Sequence, residues 1–197
     1  MATPKPKIYL AGPEVFLPDP ISAGNSLKDI CTIYGAIGLF PMDNLIPAHI
    51  LAGDLDTTGS RVSMATWIRN ENMAMIRECD AVVANMTPFR GVSMDVGTAY
   101  EMGVATALGK VVIAYSIDVR EYTEKVKESF ECVRDERGVL RDGEGMAVEE
   151  FVGEMLVDNL MMTAGGVDNI GGGVCRTVEE AVRMAVEILE TRYLDKV

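Results

Sequence analysis

Asp80-Ala-Val-Val-Ala-Asn85 and Lys110-Val-Val-Ile-Ala-Tyr115 bracket the stretch Val96-Gly-Thr-Ala-Tyr-Glu-Met-Gly-Val-Ala-Thr-Ala-Leu-Gly109. The two flanks are short, continuous apolar runs, the signature of strands covered on both faces. Every residue of that middle stretch is apolar, small or hydroxylic except Glu101, and Asp95 stands ahead as a good N-cap. That middle stretch reads as a helix about to be buried. Strand, helix and strand in this order make a parallel α/β unit.

The same alternation extends outward. Lys7–Ala11 is a short apolar run ended by Gly12-Pro13 and reads as the first strand. A helix over Ile21–Ala36 follows, then a second short strand, or its end, at Gly38–Pro41. Asp43–Gly59 is polar and contains glycine, so it reads as a long loop of a kind that is usually functional or mobile. Ser60–Cys79 is a helix with the apolar stripe Met64, Trp67, Ile68, Met75 and Ile76. Glu71 and Asn72 fall in the gap of that stripe, where polar groups either face a cavity or flank the core. Downstream, a helix near Val119–Phe130 leads into a charge-rich exposed connection up to residue 150. Phe151–Met162 is apolar again, and Gly165–Gly173 reads as a loop. Thr177-Val-Glu-Glu180 is a capping box that opens a terminal helix running to about Tyr193.

Bulk properties narrow the function classes. A chain of 197 residues that is 48% apolar and 24% charged suits one soluble globular domain. No apolar run reaches the length of a membrane span, and the N-terminal residues lead into strand one without a signal-like apolar core. A cytoplasmic protein with no membrane partner is expected. Cys31, Cys79, Cys132 and Cys175 are widely spaced and read as reduced thiols, with no metal site. A lone histidine, His49, gives no support to a His-rich metal centre or a Ser-His-Asp triad, and it reads as a loop residue. The net charge of −12 argues against nucleic acid and favours a neutral or cationic small ligand.

Candidate chemistry centres on Glu101. A carboxylate in an apolar helix loses hydration and needs a reason to be there. Its helical neighbours Gly97, Thr98, Val104 and Ala105 are compact and leave room for a second molecule. A nucleophile or base facing a pocket fits this layout; so does a buried ion pair or an interface rim. In open parallel sheets, ligands sit beyond the carboxyl ends of the strands. Three segments meet that edge: Gly12–Asp19, Met86–Asp95 and the residues after Tyr115. They carry Gly12, Phe16, Phe89, Arg90, Gly91 and Asp95, and Tyr9 brings a phenol toward the same place. No dinucleotide fingerprint and no Walker A loop is present, so redox and NTP-driven chemistry are disfavoured and no cofactor is expected. One carboxylate nucleophile, a second acid and aromatic walls suit glycosidic chemistry on a flat ring.

Lys7-Ile-Tyr-Leu-Ala-Gly-Pro13 with Phe16, Cys79-Asp-Ala-Val-Val-Ala84, Pro88-Phe-Arg-Gly91 and Asp95-Val-Gly-Thr-Ala-Tyr-Glu-Met-Gly103, in this order and spacing, resemble the nucleoside 2-deoxyribosyltransferase family. Asp158-Asn-Leu-Met161 continues the resemblance. It implies a flavodoxin-like α/β sheet with helices on both faces, in a single domain over residues 1–197 with insertions near 44–63 and 131–150. It implies a double displacement that moves 2-deoxyribose between nucleobases, with side hydrolysis, and deoxynucleosides and nucleobases as substrates. Glu101 matches the nucleophile, Tyr9 its orienting phenol and Asp95 the ligand of a sugar hydroxyl. Asn72 matches a base-contacting position. Asn159, with Met161 beside it, matches residues that a neighbouring subunit contributes, which implies a homo-oligomer with shared active sites. Asn85 departs from the family pattern, where aspartate is frequent. Two rival readings stand beside this one. A 2′-deoxynucleoside 5′-monophosphate N-glycosidase would use Arg90 and Ser93 for the phosphate, against the repulsion expected from Glu14. A nucleoside sensor would bind without cleaving.

Overall fold

The computed structural model describes residues 4–52, 63–151, 153–164, 167–169 and 173–194. Four strands, β1 (Lys7–Ala11), β2 (Ile37–Leu39), β3 (Ala81–Asn85) and β4 (Val111–Tyr115), form a parallel sheet in the order β2-β1-β3-β4. β1 to β4 lie within a residue or two of the expected strands. The order reverses between β1 and β3, so a crevice opens there beyond the carboxyl ends of the strands. This is a flavodoxin-like α/β fold.

Strand alternation sorts the core into two layers. Ile8, Leu10, Val83, Val111 and Ile113 face α1 (Pro20–Ile33), which carries Cys31, and the terminal helix Val178–Leu194, which carries Ala181, Val182 and Ala185. Tyr9, Ala11, Val82, Ala84, Val112 and Ala114 face the other way. They meet Met73 and Ile76 of the helix Met64–Glu78 and Met102 and Ala105 of the helix Val96–Ala107. Numbered in chain order, a short helix α2 (Ala48–Ala52) precedes α3 (Met64–Glu78), and α4 (Val96–Ala107) follows β3. The odd–even register of β1 thus sends Tyr9 toward α3 and α4, the face that holds Glu101.

The free edge of β4 is covered without a full fifth strand. The Asp168 carboxylate accepts the Val112 N–H, the Asn169 side chain bonds both backbone groups of Ala114, and Cys175 bridges Tyr115 in parallel. Side chains thereby satisfy backbone groups that a strand would otherwise pair.

Several expectations are corrected. Within the long loop read over 43–59, a 3-10 turn spans Pro41–Asp43 and α2 spans Ala48–Ala52, with His49 on that helix; residues 53–59 lie outside the description. The Asp43 carboxylate caps this turn by accepting the Phe40 N–H and pairs with Lys28, so a polar segment gains local order. The exposed connection read over 131–150 contains an antiparallel hairpin, β5 (Cys132–Arg134) with β6 (Leu140–Asp142), after α5 (Tyr122–Ser129). Its charge hid it: Arg134 pairs with Glu150 and Arg141 with Asp135, so ion pairs stand where apolar alternation would signal strands. Residues 60–62 of the expected second helix and most of the glycine-rich loop lie outside the described residues. A one-turn helix α6 (Leu160–Thr163) precedes that loop, and one half of the expected capping box forms at α7 (Val178–Leu194), where Thr177 accepts the Glu180 N–H. The Glu180 carboxylate accepts the Arg176 N–H instead of the Thr177 N–H that a full box would use.

Candidate active site

Glu101 lies one and a half turns into α4, whose N-terminus Asp95 caps by accepting the Thr98 N–H at 2.8 Å and the Thr98 hydroxyl at 3.0 Å, both on Oδ2. The fully buried Tyr9 donates its phenol to Glu101 Oε1 at 2.7 Å. Asn72 Nδ2, from α3, donates to the same oxygen at 3.4 Å. Among the described residues no donor reaches Oε2 of Glu101 or Oδ1 of Asp95. One oxygen of the nucleophile candidate is anchored and the other is left unpaired.

Burial pushes the Glu101 carboxyl up to about 7, and the Asp95 charge adds to this, while the hydrogen bonds from Tyr9 and Asn72 pull it back. Burial and the Glu101 charge hold Tyr9 far above its ordinary range. Tyr9 therefore stays a donor, and Glu101 sits where a modest change of surroundings decides its charge.

A cavity of about 360 Å³ opens on this pair. The loop after β1 and the start of α4 line it with Gly12, Phe16, Asp95, Gly97 and Thr98 beside Glu101. The segment after β2 contributes Met42, Asn44 and Ile46, and α3 contributes Trp67, Ile68, Glu71 and Asn72. A Cβ on Gly12 would run into the Glu14 carboxylate and come 3.0 Å from Asn85 Cβ, so only glycine leaves this turn room. Among the described residues no three His, Cys, Asp or Glu side chains group as metal ligands.

The structure gathers Tyr9, Gly12, Phe16, Asn72, Asp95 and Glu101 at one place. Other expected positions stand elsewhere. Phe89 and Arg90 do not line the cavity. Phe89 stacks on Phe16 with ring centroids 5.3 Å apart, and the Arg90 guanidinium lies 4.6 Å over Phe89 and 5.2 Å over Phe16. They brace the Phe16 wall from behind. Arg90 holds a left-handed backbone at φ 56°, inside a turn closed by the Phe89 N–H on the Ser93 carbonyl. Gly91 borders open space, and the residues after Tyr115 contribute no lining. Asn159 caps α6 and donates to Glu149 at 2.7 Å, Met161 is 69% exposed, and neither lines this chain's own cavity. Asp158 ties that segment to the site loop by accepting the Met94 N–H at 2.8 Å. Glu14 is engaged by Asn85 at 2.6 Å and by the Tyr115 hydroxyl at 3.0 Å and does not line the cavity.

Sequence reasoning missed Asn44 and Ile46, which sit in the stretch read as loop, and Met42 just before it, and it took Trp67 and Ile68 for core. Only Met73 and Ile76 of α3 are buried among the described residues of that helix. The position of Glu71 and Asn72 in the gap was the available signal, since a cavity lies there.

The family model for nucleoside 2-deoxyribosyltransferases matches residues 8–161. An uncharacterized protein of Schizosaccharomyces pombe is 30% identical over 95% of this chain and 90% of its own length. A solved 2-desoxiribosyltransferase from Leishmania mexicana is 34% identical, covers 93% of this chain and 98% of its own, and superposes with a TM-score of 0.67. A conserved protein from Enterococcus faecalis, 18% identical over 94% of this chain and 99% of its own with a TM-score of 0.55, shares the fold.

Proposed function

The chain belongs to the nucleoside 2-deoxyribosyltransferase family, and we propose that it moves 2-deoxyribose between nucleobases by double displacement through an ester on Glu101. The observation that carries this reading is the Tyr9–Glu101 pair with its unpaired Oε2 at the cavity wall. In the first step Oε2 attacks C1′ of a 2′-deoxynucleoside. The C1′–N bond breaks, its electrons go to the base, and the base takes a proton. In the second step the nitrogen of another base attacks C1′ and releases its proton to solvent, the ester bond breaks and Glu101 returns as carboxylate. Water in place of the second base gives free deoxyribose.

Tyr9 holds the carboxylate in line and, through its hydrogen bond to Oε1, steers attack to the other oxygen. Asp95 Oδ1 accepts a sugar hydroxyl. Gly12 lets the sugar approach the strand end, and Phe16, backed by Phe89 and Arg90, walls one side. Asn72 is an amide, which donates and accepts but is a poor proton source; the leaving base is protonated from solvent. Asn159 and Met161 complete the site of a second copy of the chain. Their exposure and their absence from the lining of their own cavity support this. Mixing Glu101→Ala with Asn159→Ala protein should regain activity once subunits exchange; none after verified exchange would mean each site is complete alone.

The ester itself is the test. Rapid quenching with deoxyguanosine, followed by digestion and mass spectrometry, should find one deoxyribosyl group on the Glu101 peptide. An unmodified peptide during turnover would favour direct displacement. A second reading, hydrolysis of 5′-monophosphates, is favoured by Arg90, whose guanidinium sits beside Phe16 with no carboxylate partner among the described residues. It requires that deoxynucleoside 5′-monophosphates compete with deoxynucleosides, and transfer without such competition would dismiss it.

A further inference from the structure

Glu71 and Asn72 follow one another on α3, and both line the cavity one turn beyond Trp67 and Ile68. Asn72 commits its Nδ2 to Glu101, and its Oδ1 is buried with no hydrogen-bond partner. A buried acceptor without a donor is costly, and native structures rarely leave one unfilled. Glu71 makes no hydrogen bond or ion pair among the described residues. The nearest cation on its helix, Arg69, is turned to Asn70 and Tyr100. The α3 wall therefore presents adjacent acceptors, the Glu71 carboxylate and Asn72 Oδ1, beside a flat surface made by Trp67 and Ile68.

A molecule that fits this wall brings a planar ring with N–H donors along one edge. Among nucleobases, the 2-amino-6-oxopurine edge places N1–H and the exocyclic N2–H side by side, parallel to each other, at the spacing of a carboxylate's two oxygens. Adenine puts the N1 lone pair beside its amino group, so a carboxylate there meets repulsion as well as a donor. Hypoxanthine has N1–H but lacks the amino group. We infer that Glu71 is the specificity-determining residue of this site and selects 2-amino-6-oxopurine deoxynucleosides over adenine deoxynucleosides, with Asn72 Oδ1 as the further acceptor. The inference rests on the reading of the cavity as a deoxynucleoside site, and it assigns to the base end a residue that the sequence left undecided between cavity and core flank.

Trp67 is the only tryptophan of the chain and lies in the cavity, so its fluorescence reports binding without turnover. Deoxyguanosine, deoxyinosine and deoxyadenosine are titrated into Glu101→Gln protein and into the Glu71→Gln/Glu101→Gln double variant. The expected order for the first is deoxyguanosine, deoxyinosine, deoxyadenosine, with about tenfold to a hundredfold between the ends, the scale of one bidentate base contact. Glutamine offers an amide that matches adenine's donor–acceptor pair, so Glu71→Gln should reverse the order. Equal affinities in the first protein, an equal loss for all three in the second, or no quench by any of them overturns the inference. The same nucleosides are assayed for cleavage by the wild-type chain. Selective binding without cleavage would sink the transferase reading and leave this inference standing; cleavage without selectivity would do the reverse.

Discussion

Two walls of one cavity are built on different terms. The wall made by β1 and α4 is regular and tightly held: Tyr9 is fully buried, Thr98 and Met102 are 1% exposed, and the pairs Tyr9–Glu101 and Thr98–Asp95 are each held by hydrogen bonds of 2.7–3.0 Å. The opposite wall comes from an irregular segment after β2 and the outward side of α3. Met42 there is 43% exposed and Ile68 39%, and the neighbouring Leu45 stands almost wholly in solvent. Bond-breaking needs groups fixed to fractions of an ångström, and a strand and a helix supply that. Recognition of a flat ring needs area and a few polar atoms, which a loose wall can vary without disturbing the chemistry.

The variants below try to break that division, beginning with the largest effect. Glu101→Ala should lower turnover by about a thousandfold or more while the circular dichroism spectrum stays native, since its neighbours are compact. Retained turnover would take the chemistry away from the regular wall. Glu101→Gln should make the chain more stable at pH 8. The carboxyl is held at about 7 when folded, against an ordinary value of 4.5. It is ionised in both states above pH 7 and neutral in both below pH 4.5, so the native chain loses about 3 kcal/mol as pH rises through that window. Glutamine escapes this loss. A melting-temperature gap of about 5–10 °C should open between pH 4.5 and 7; a gap that is flat with pH would show that Glu101 is not strained by its burial.

Smaller effects sharpen the contrast. Tyr9→Phe should reduce kcat by about tenfold to a hundredfold, the cost of one orienting hydrogen bond, with little change in KM. Trp67→Ala should do the opposite, raising KM by about tenfold and leaving kcat within about threefold. Equal losses of kcat in the two variants would mean that the walls do not divide the work.

The division also marks what could be read from the sequence. β1, β3 and β4 are continuous apolar runs, and Asp95 with Glu101 sits in a helix whose other residues are small or apolar, so burial and chemistry were both visible in composition. Tyr9 followed from strand register, because period-two alternation fixes which face a side chain takes. Met42, Asn44 and Ile46 were not legible: no periodicity governs a 3-10 turn and its exit, and only the tertiary path brings them over α3. Trp67 and Ile68 looked like core because an apolar residue at a cavity wall and one under a sheet have the same helical spacing. The β5–β6 hairpin escaped for a related reason. Its strands are held by ladder bonds and by Arg134–Glu150 and Arg141–Asp135 pairs, and charged residues in short strands carry no hydrophobic period. Arg90 and Phe89 were placed at the correct edge of the sheet, but the turn in which they sit carries no pattern that tells backing Phe16 from lining the cavity.

Deoxyguanosine incubated with the protein, with and without hypoxanthine, and followed by chromatography, tests the central claim most directly. Transfer through Glu101 predicts deoxyinosine in the first mixture and only slow release of guanine in the second. Guanine appearing at the same rate in both, with no deoxyinosine, would contradict it.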